Sequence, residues 1–226
     1  MMKKKLGFLL LILGVLVLTY PHIAELINNH NLSRQSNDYL SKYEEPGYDS
    51  GQKLEEIRKC NDRLYSLAND FQDPFVDINN EGVTNCDLIS DSEIFAVLEI
   101  PKLDLMLPIY LGASENNLSR GVSQVEGSSL PAGGENTHSL LAGHRGMATK
   151  EMFRHLDRLD LGDKFHIHLF DESLTYEIND TEVVYPWETD HLGIQDGKDL
   201  VTLFTCHPYR SNDQRLLVWG ERYTGN

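Results

Sequence analysis

The residues best suited to chemistry lie where an apolar run ends at a cysteine. Residues from Val201 to Thr205 favour a strand, Cys206 follows, and Pro208 stops the run from continuing as a central strand. The thiol is therefore expected at the mouth of a strand. A cysteine attacks only as its thiolate, so it needs a base or a cation nearby. Without such a neighbour, Cys206 would be a small buried hydrophobe, as most free cysteines are.

Nine histidines could supply the base, and one of them stands apart. His144 is flanked by glycines and follows an apolar run, which predicts a strand end with backbone freedom. His207 is adjacent to Cys206 in sequence, but successive side chains of an extended chain point to opposite faces. His166 and His168 alternate along one predicted strand, as on a solvated face. His144 is therefore the candidate partner of the thiol.

Arg215 is the third candidate. It opens the apolar run Leu216–Trp219 after the polar stretch Ser211–Gln214. A guanidinium held there can stabilise the oxyanion of an acyl-transfer intermediate or bind a substrate carbonyl. The alternative is a surface ion pair. The cysteines and histidines do not show the spacing of a zinc site, so we expect neither a metal nor another cofactor.

Composition limits the class of protein. The chain has 226 residues, of which 40% are hydrophobic and 9% aromatic, enough for one core and too many for wholesale disorder. Asp and Glu number 35 against 20 Lys and Arg, which gives a formal charge of −15. A protein that binds phosphate backbones needs the opposite sign, so no nucleic-acid partner is expected.

The N-terminus has the pattern of a membrane anchor. Three lysines, Lys3–Lys5, precede the apolar run Leu6–Leu18, and the uncharged stretch continues to Ala24. That length approaches the ~20 residues that a helix needs to cross a bilayer. A cleaved signal peptide would need a small-x-small site, which Thr19–His22 does not supply. We therefore predict a single-pass signal anchor over residues 1–24, with the N-terminus cytoplasmic and the body outside the cell membrane.

The chain contains three cysteines, Cys60, Cys86 and Cys206. An odd number in an exported chain leaves at least one unpaired. Three free thiols are favoured over a Cys60–Cys86 bridge, which remains an alternative.

The elements that must position the candidate residues divide the body in two. Over residues 25–92 the sequence predicts a helical extension, because apolar residues recur at helical spacing between Leu54 and Phe71. A break is predicted at Glu45–Gly47, and a polar, acidic loop over residues 72–92. Residues 93–226 consist of short apolar or alternating runs separated by turn residues. Seven or eight such strands with few helices predict a mainly β protein folded as a closed or partly closed barrel.

Within the barrel the sequence predicts seven strands, two short helices and one bend. The predicted strands are Ile94–Ile100, Leu105–Leu111, Ser139–Ala142, Lys164–Phe170, Leu174–Val184, Leu200–Thr205 and Leu216–Trp219. Short helices are predicted at Ala113–Leu118 and Glu151–Leu156, and a bend at Asn179-Asp180.

Three motifs, which follow one another along the chain in the order His144, Cys206 and Arg215, resemble the sortase family of cysteine transpeptidases. Thr202–Cys206 (TLFTC) matches the family's TLxTC signature, Ala142–Gly146 matches the strand of its histidine, and Gln214–Val218 matches the strand of its arginine. The resemblance extends over roughly residues 93–223. It implies a sortase barrel with Cys206, His144 and Arg215 as catalytic residues. Thr205 and Leu203, which belong to the same signature, would line or support the substrate groove.

A second resemblance concerns the extension. Pilus-building, class C sortases carry a lid with an Asp-Pro-aromatic motif, and Asp73-Pro74-Phe75 matches it. The resemblance implies that Asp73 faces Arg215 and that Phe75 covers Cys206. The alternative is an ordinary Asp-Pro turn with a buried Phe. Many class C sortases also have a C-terminal membrane helix, so the expectation is that either this chain is anchored once or its C-terminus has been lost.

The resemblance also implies a reaction and its partners. The Cys206 thiolate would attack the Thr–Gly carbonyl of an LPxTG-like sorting signal, with His144 protonating the departing amine and Arg215 assisting the oxyanion. The thioacyl enzyme would then pass to an amine, which in a pilus enzyme is a lysine of the next pilin. The implied partners are pilins or surface proteins that carry such signals.

Other functions stay open at this point. A housekeeping sortase that anchors surface proteins to peptidoglycan would share the same catalytic residues. An L,D-transpeptidase acting on peptidoglycan stems would carry a Ser-x-Gly-Cys motif, which does not surround Cys206. A papain-like hydrolase would place its cysteine before its histidine. The alternative without enzymatic activity is a membrane-tethered barrel that binds pilins or wall polymer.

Overall fold

The computed structural model describes residues 2–43, 49–66, 73, 75, 93–188 and 192–225. The predicted break at Glu45–Gly47, together with Pro74, Cys86 and nearly all of the predicted loop over residues 72–92, lies outside these residues.

The described part of the chain forms a closed barrel of eight strands in the order β1-β2-β3-β4-β7-β8-β6-β5. β2 with β3 and β4 with β7 run parallel, and the other neighbours are antiparallel. The strands are β1 Ala96–Ile100, β2 Leu105–Leu111, β3 Val122–Gln124, β4 Thr137–Ala142, β5 Lys164–Leu169, β6 Glu172–Val184, β7 Asp199–His207 and β8 Gln214–Arg222. The helices are α1 Met2–Ser41, α2 Gly51–Ser66 and α3 Glu115–Arg120, with 3-10 turns at Pro101–Leu103 and Leu156–Arg158.

The predicted mainly β barrel is confirmed, with two local corrections. β3 was not predicted because three residues are too few to show an alternating pattern. The predicted helix at Glu151–Leu156 is wrong: turns occupy this stretch, and Met152 has a φ of +48°, a left-handed conformation that interrupts a helix. The predicted bend in β6 is confirmed by a register shift between Ile178 and Asp180.

The central strands bury side chains on both faces. On β7, Val201 and Leu203 face the barrel interior and belong to its core, whereas Leu200 and Phe204 belong to a second apolar cluster on the opposite face. Each fully buried side chain of this size contributes about 1.5–3 kcal/mol. Because side chains alternate along a strand, Cys206 lies on the same outer face as Phe204.

Helix α1 has two different halves. Its N-terminal half exposes large apolar side chains from Leu6 to Tyr20, and the helix is long and apolar enough to cross a membrane. Its C-terminal half packs on the barrel, where Leu32 and Tyr39 are buried and the Tyr39 hydroxyl donates to the Phe95 carbonyl (2.6 Å). The boundary predicted after residue 24 lies within this one helix.

The middle of α1 contacts the loop that joins β4 to β5. The Arg154 Nη1 lies 2.5 Å from the Glu25 carboxylate, and the Asn28 amide donates to the Thr149 carbonyl (3.0 Å). Arg154 also donates to two carbonyls of its own loop, those of Met147 and Lys150. The helix therefore restrains the segment that begins at the end of β4.

The cysteine prediction needs a correction. Cys60, fully buried on α2, is disulfide-bonded, whereas Cys206 is a free thiol. The expectation of three free thiols is therefore wrong. Sequence spacing did not reveal this bond, because a disulfide depends on how close two cysteines come in the folded chain.

Candidate active site

The pairing of β7 and β8 brings the cysteine and the arginine together. Cys206 is directly opposite Arg215 in this antiparallel pair. Side chains at opposite positions share a face, with Cβ atoms about 4.5–5.5 Å apart. β4 runs parallel to β7 on its other side, and His144 follows two residues after β4 ends. His144 and Cys206 consequently border the same cavity.

Two residues of the cysteine signature support this arrangement from the opposite face. The Thr205 hydroxyl donates to the Gly143 carbonyl (2.7 Å), and the Gly143 N–H donates to the Phe204 carbonyl (3.0 Å). A Cβ on Gly143 would lie 2.7 Å from the Phe153 ring, so the chain needs glycine just before His144. Leu203 is buried in the barrel core. Thr205 and Leu203 thus lie in supporting positions and do not line the outer face.

Arg215 is buried in the site, with 1% of its side chain exposed. Its Nη1 donates to the carbonyls of Asn212 (2.9 Å) and Gln214 (2.8 Å), and its Nε donates to the Asp73 carboxylate (2.6 Å). These bonds fix the guanidinium plane beside Cys206. The alternative of a surface ion pair does not describe this residue.

Asp73 is nearly as buried as its partner, with 4% of its side chain exposed. Its second carboxylate oxygen accepts the Phe75 N–H (2.8 Å), which closes a tight turn between the two residues. Burial raises the pKa of Asp73, and the Phe75 N–H and Arg215 partly offset that rise. Loss of either partner of a buried ion pair leaves an uncompensated charge, which is strongly destabilising.

The Phe75 ring contacts two of the three candidate catalytic residues, His144 and Arg215. The ring stacks on Phe204 (centroids 5.7 Å apart, 10° between planes) and lies 5.9 Å from the His144 ring. The Arg215 guanidinium sits over the same ring at 5.5 Å. Pro74 lies outside the described residues. Asp73 and Phe75 therefore occupy the outer face of the sheet next to Cys206.

The electrostatics keep both reacting groups neutral at rest. Burial raises the pKa of the Cys206 thiol; Arg215 and Arg145 act to lower it, and Asp73 raises it further. Burial lowers the pKa of His144, as does Lys150, while Glu115 acts in the opposite direction. Near neutral pH the thiol and the neutral imidazole predominate, and the reactive thiolate–imidazolium pair is a minor form.

Two charged residues of the site were missed by the sequence reasoning. Glu115 on α3 places a carboxylate oxygen 3.8 Å from His144 Nε2, which has no hydrogen-bond partner among the described residues. Arg145 follows His144 and is bound by the Arg154 carbonyl (3.2 Å) and Asp157 (3.1 Å). No sequence pattern pointed to Glu115, whereas Arg145 lies within the histidine motif itself. Among the described residues there is no cluster of three or more His, Cys, Asp or Glu that could hold a metal.

The sequence of the barrel matches a known protein family. The Sortase domain family matches residues 98–223. Sortase D of Bacillus subtilis (strain 168) is 33% identical over 131 residues, which cover 57% of this chain and 63% of that protein. The match thus spans slightly less than two thirds of this relative. Sortase A of Listeria monocytogenes is 25% identical over 225 residues, covering 98% of this chain and 91% of the relative.

Solved structures give the same result over most of the fold. Sortase C1 of GBS pilus island 1 superposes with a TM-score of 0.76 at 32% identity, covering 88% of this chain and 93% of that one. Sortase C of Streptococcus pneumoniae gives 0.74 at 33% identity, covering 87% and 98%. Sortase C-1 of Actinomyces oris gives 0.72 at 37% identity, covering 77% and 97%. The family match, the barrel and the three resembling motifs agree, and the chain belongs to the sortase family of cysteine transpeptidases.

Proposed function

We propose that the protein is a membrane-anchored transpeptidase of the pilus-building, class C kind. It cleaves an LPxTG-like sorting signal between Thr and Gly and joins the Thr carbonyl to a lysine amine of a pilin. The observation that carries the proposal is the buried ion pair of Asp73 with Arg215, beside Cys206. The solved neighbours named sortase C support the same class.

The first step forms the thioacyl enzyme. The thiol proton of Cys206 passes to His144, the thiolate attacks the Thr carbonyl carbon, and the electron pair of the C=O π bond moves to the oxygen to give a tetrahedral oxyanion. Arg215 stabilises this oxyanion once Asp73 has left its guanidinium. The C–N bond to Gly then breaks, and the His144 imidazolium gives its proton to the departing amine.

The second step reverses these roles with a new amine. A neutral lysine amine attacks the thioester carbon, and His144 accepts its proton. The C–S bond breaks, the thiolate of Cys206 is regenerated, and an amide bond joins the two proteins. The neutral resting imidazole is the form that this step requires, which agrees with the lowered pKa of His144.

The proposed location follows from α1. Its apolar half would span the membrane once, with Lys4 and Lys5 on the cytoplasmic side and the barrel outside. A housekeeping role is the second candidate, because Sortase A of Listeria monocytogenes matches nearly the full length of the chain. In that case the acceptor would be a peptidoglycan amine, and the first step would be unchanged.

The deciding experiment uses the full chain in detergent micelles, wild type against Cys206→Ala. Each is incubated with an LPxTG peptide and either a lysine-bearing pilin or a peptidoglycan-type amine, and the products are identified by mass spectrometry. We expect a thioacyl adduct on Cys206 that passes to the pilin lysine, and no adduct in the variant. Transfer only to the peptidoglycan-type amine would favour the housekeeping role. No adduct in wild type or in Phe75→Ala would contradict the proposal.

Replacing Glu115 with glutamine is expected to move the acid limb of the pH–rate profile to lower pH. The carboxylate of Glu115 raises the pKa of His144, so its removal lowers that pKa further. Below the pKa of His144 the imidazole is already protonated and cannot accept the thiol proton, so the acid limb follows that pKa. Above it, a lower pKa leaves fewer molecules with the imidazolium that protonates the leaving amine. Because 61% of the Glu115 side chain is exposed and water screens the pair, turnover near neutral pH should fall only about twofold.

The measurement is kcat/KM of peptide cleavage between about pH 5 and 9. Glu56→Gln on α2 removes a carboxylate that lies on the exposed face of that helix and is the matched control. An acid limb at the same pH in Glu115→Gln and wild type would show that Glu115 does not act on His144.

A further inference from the structure

A cavity of about 330 Å³ lies beside Cys206. Its walls come from the start of the β4–β5 loop, residues 144–148, and from the β7–β8 loop, residues 209–212. Neither Asp73 nor Phe75 borders it. The thiol thus has an approach that the Asp73–Phe75 turn leaves open.

Two arginines line the cavity although the protein is strongly acidic. Among the described residues that line it are Arg145 and Arg210, and none of these described residues is an Asp or a Glu, in a chain with a formal charge of −15. Two carboxylates lie near the walls: Asp157 pairs with Arg145, and Asp213 accepts the Ser211 hydroxyl. Because Arg145 is already paired with Asp157, the exposed Arg210 supplies the guanidinium charge in the wall that favours an anionic ligand.

Arg145 keeps one donor unused. Only 5% of its side chain is exposed. Its Nε donates to the Arg154 carbonyl and its Nη2 faces Asp157, while Nη1 has no hydrogen-bond partner among the described residues. A buried donor without a partner is destabilising, and Arg145 lines the cavity, so an acceptor on a ligand bound there would satisfy this donor.

We propose that this cavity is a carboxylate subsite, in which Arg145 and Arg210 bind an acidic side chain carried on the amine side of the scissile bond. The proposal rests on the function proposed above. His144 protonates the departing amine there, so the peptide beyond that amine leaves Cys206 on the His144 side, where the cavity lies. An extended residue spans about 3.3–3.6 Å, so an acidic residue one or two positions beyond the Gly reaches these walls.

The substrate class that follows is a sorting signal with Asp or Glu soon after its Thr–Gly bond. Arg145 binds that carboxylate with its unused Nη1, and Arg210, which is exposed, adds long-range attraction. An acceptor with a carboxylate next to its lysine offers the same chemistry. The experiment therefore tests the donor and the acceptor separately.

The test measures kcat/KM for acylation of the full chain in detergent micelles. Three donor peptides differ only in the residue after Gly, which is Glu, Gln or Lys. Wild type should prefer Glu over Gln about fivefold to tenfold and should cleave the Lys peptide slowest. Arg145→Gln should abolish the preference, and Arg210→Gln should reduce it. Arg58→Gln, which removes a half-exposed guanidinium from α2, is the charge-matched control and should keep it.

Each remaining outcome counts against the proposal. Equal cleavage of the three peptides by wild type overturns it. If Arg145→Gln lowers all three rates by one factor and retains the preference, Arg145 only holds its loop. If Arg145→Gln fails to fold, Arg210→Gln still tests the proposal. An unchanged preference of Arg210→Gln for the Glu peptide over the Gln peptide would count against the subsite. To test the acceptor, a preformed thioacyl enzyme is mixed with lysine peptides that carry either Glu or Gln next to the lysine. A preference for Glu that is seen only with these acceptors would overturn the assignment of the cavity to the donor peptide. Failure of the proposed function is distinct, because no peptide would then acylate Cys206.

Discussion

Arg215→Ala is expected to lower the rate of Cys206 acylation by about 100-fold or more. Loss of one fixed oxyanion donor costs about 10²–10³ in rate. Arg215→Lys should lose nearly as much, because an ammonium cannot keep both bonds to the Asn212 and Gln214 carbonyls while it faces the substrate. The measurement is the single-turnover rate of thioacyl formation with an LPxTG peptide.

A fall in stability must be separated from this loss of rate. Removal of Arg215 leaves Asp73 buried without its cation, which costs about 3–5 kcal/mol. The double variant Asp73→Ala with Arg215→Ala removes both charges and should recover much of that stability but none of the rate. Acylation within tenfold of wild type in the double variant would contradict the catalytic role of Arg215.

Phe75→Ala is expected to raise cleavage of a short sorting-signal peptide about tenfold. The ring covers Phe204 and contacts both His144 and Arg215, so a peptide that needs this face binds only when Phe75 is displaced. Apparent affinity falls by the fraction of molecules in the open state, and a tenfold gain corresponds to an open fraction of about one tenth. Stability should not increase, because an apolar contact is lost.

Asp73→Asn tests the same segment through charge. It weakens the bond to Arg215 and removes a carboxylate that raises the pKa of Cys206, so that pKa should fall. Alkylation of Cys206 by iodoacetamide near neutral pH should then become faster, together with peptide cleavage. Asp62→Asn on the exposed face of α2 is the matched control. Unchanged turnover in both Phe75→Ala and Asp73→Asn would show that the segment does not regulate the site.

The barrel, and the positions of Cys206, His144 and Arg215 at the ends of its strands, could be predicted because local patterns specify them. Alternation and turn residues mark most of the strands, and the short connection between β7 and β8 makes them a hairpin that sets Arg215 against Cys206. β3 escaped prediction because it is short and is held by parallel pairing with β2, a partner that periodicity does not reveal. The turns after Glu151 escaped because the left-handed Met152 carries no sequence signal of its own.

Contacts between distant segments were the least predictable part. The pairing of Asp73 with Arg215 followed only from a family resemblance, since a polar loop has no pattern that fixes its path. Glu115 reaches His144 because the Ser114 cap sets the start of α3, and this end happens to face the end of β4. Such positions depend on tertiary packing, which hydrophobic periodicity cannot encode.

The contact of Glu25 with Arg154 also holds the β4–β5 loop close to the predicted membrane anchor. Residues 25–29 follow directly on the predicted anchor, and at 1.5 Å per residue they lie within about 10 Å of its outer end. The loop that starts at His144 is fastened to that short stretch of helix. A protein anchored by α1 would therefore operate in a thin layer over the bilayer and find its substrates by lateral diffusion.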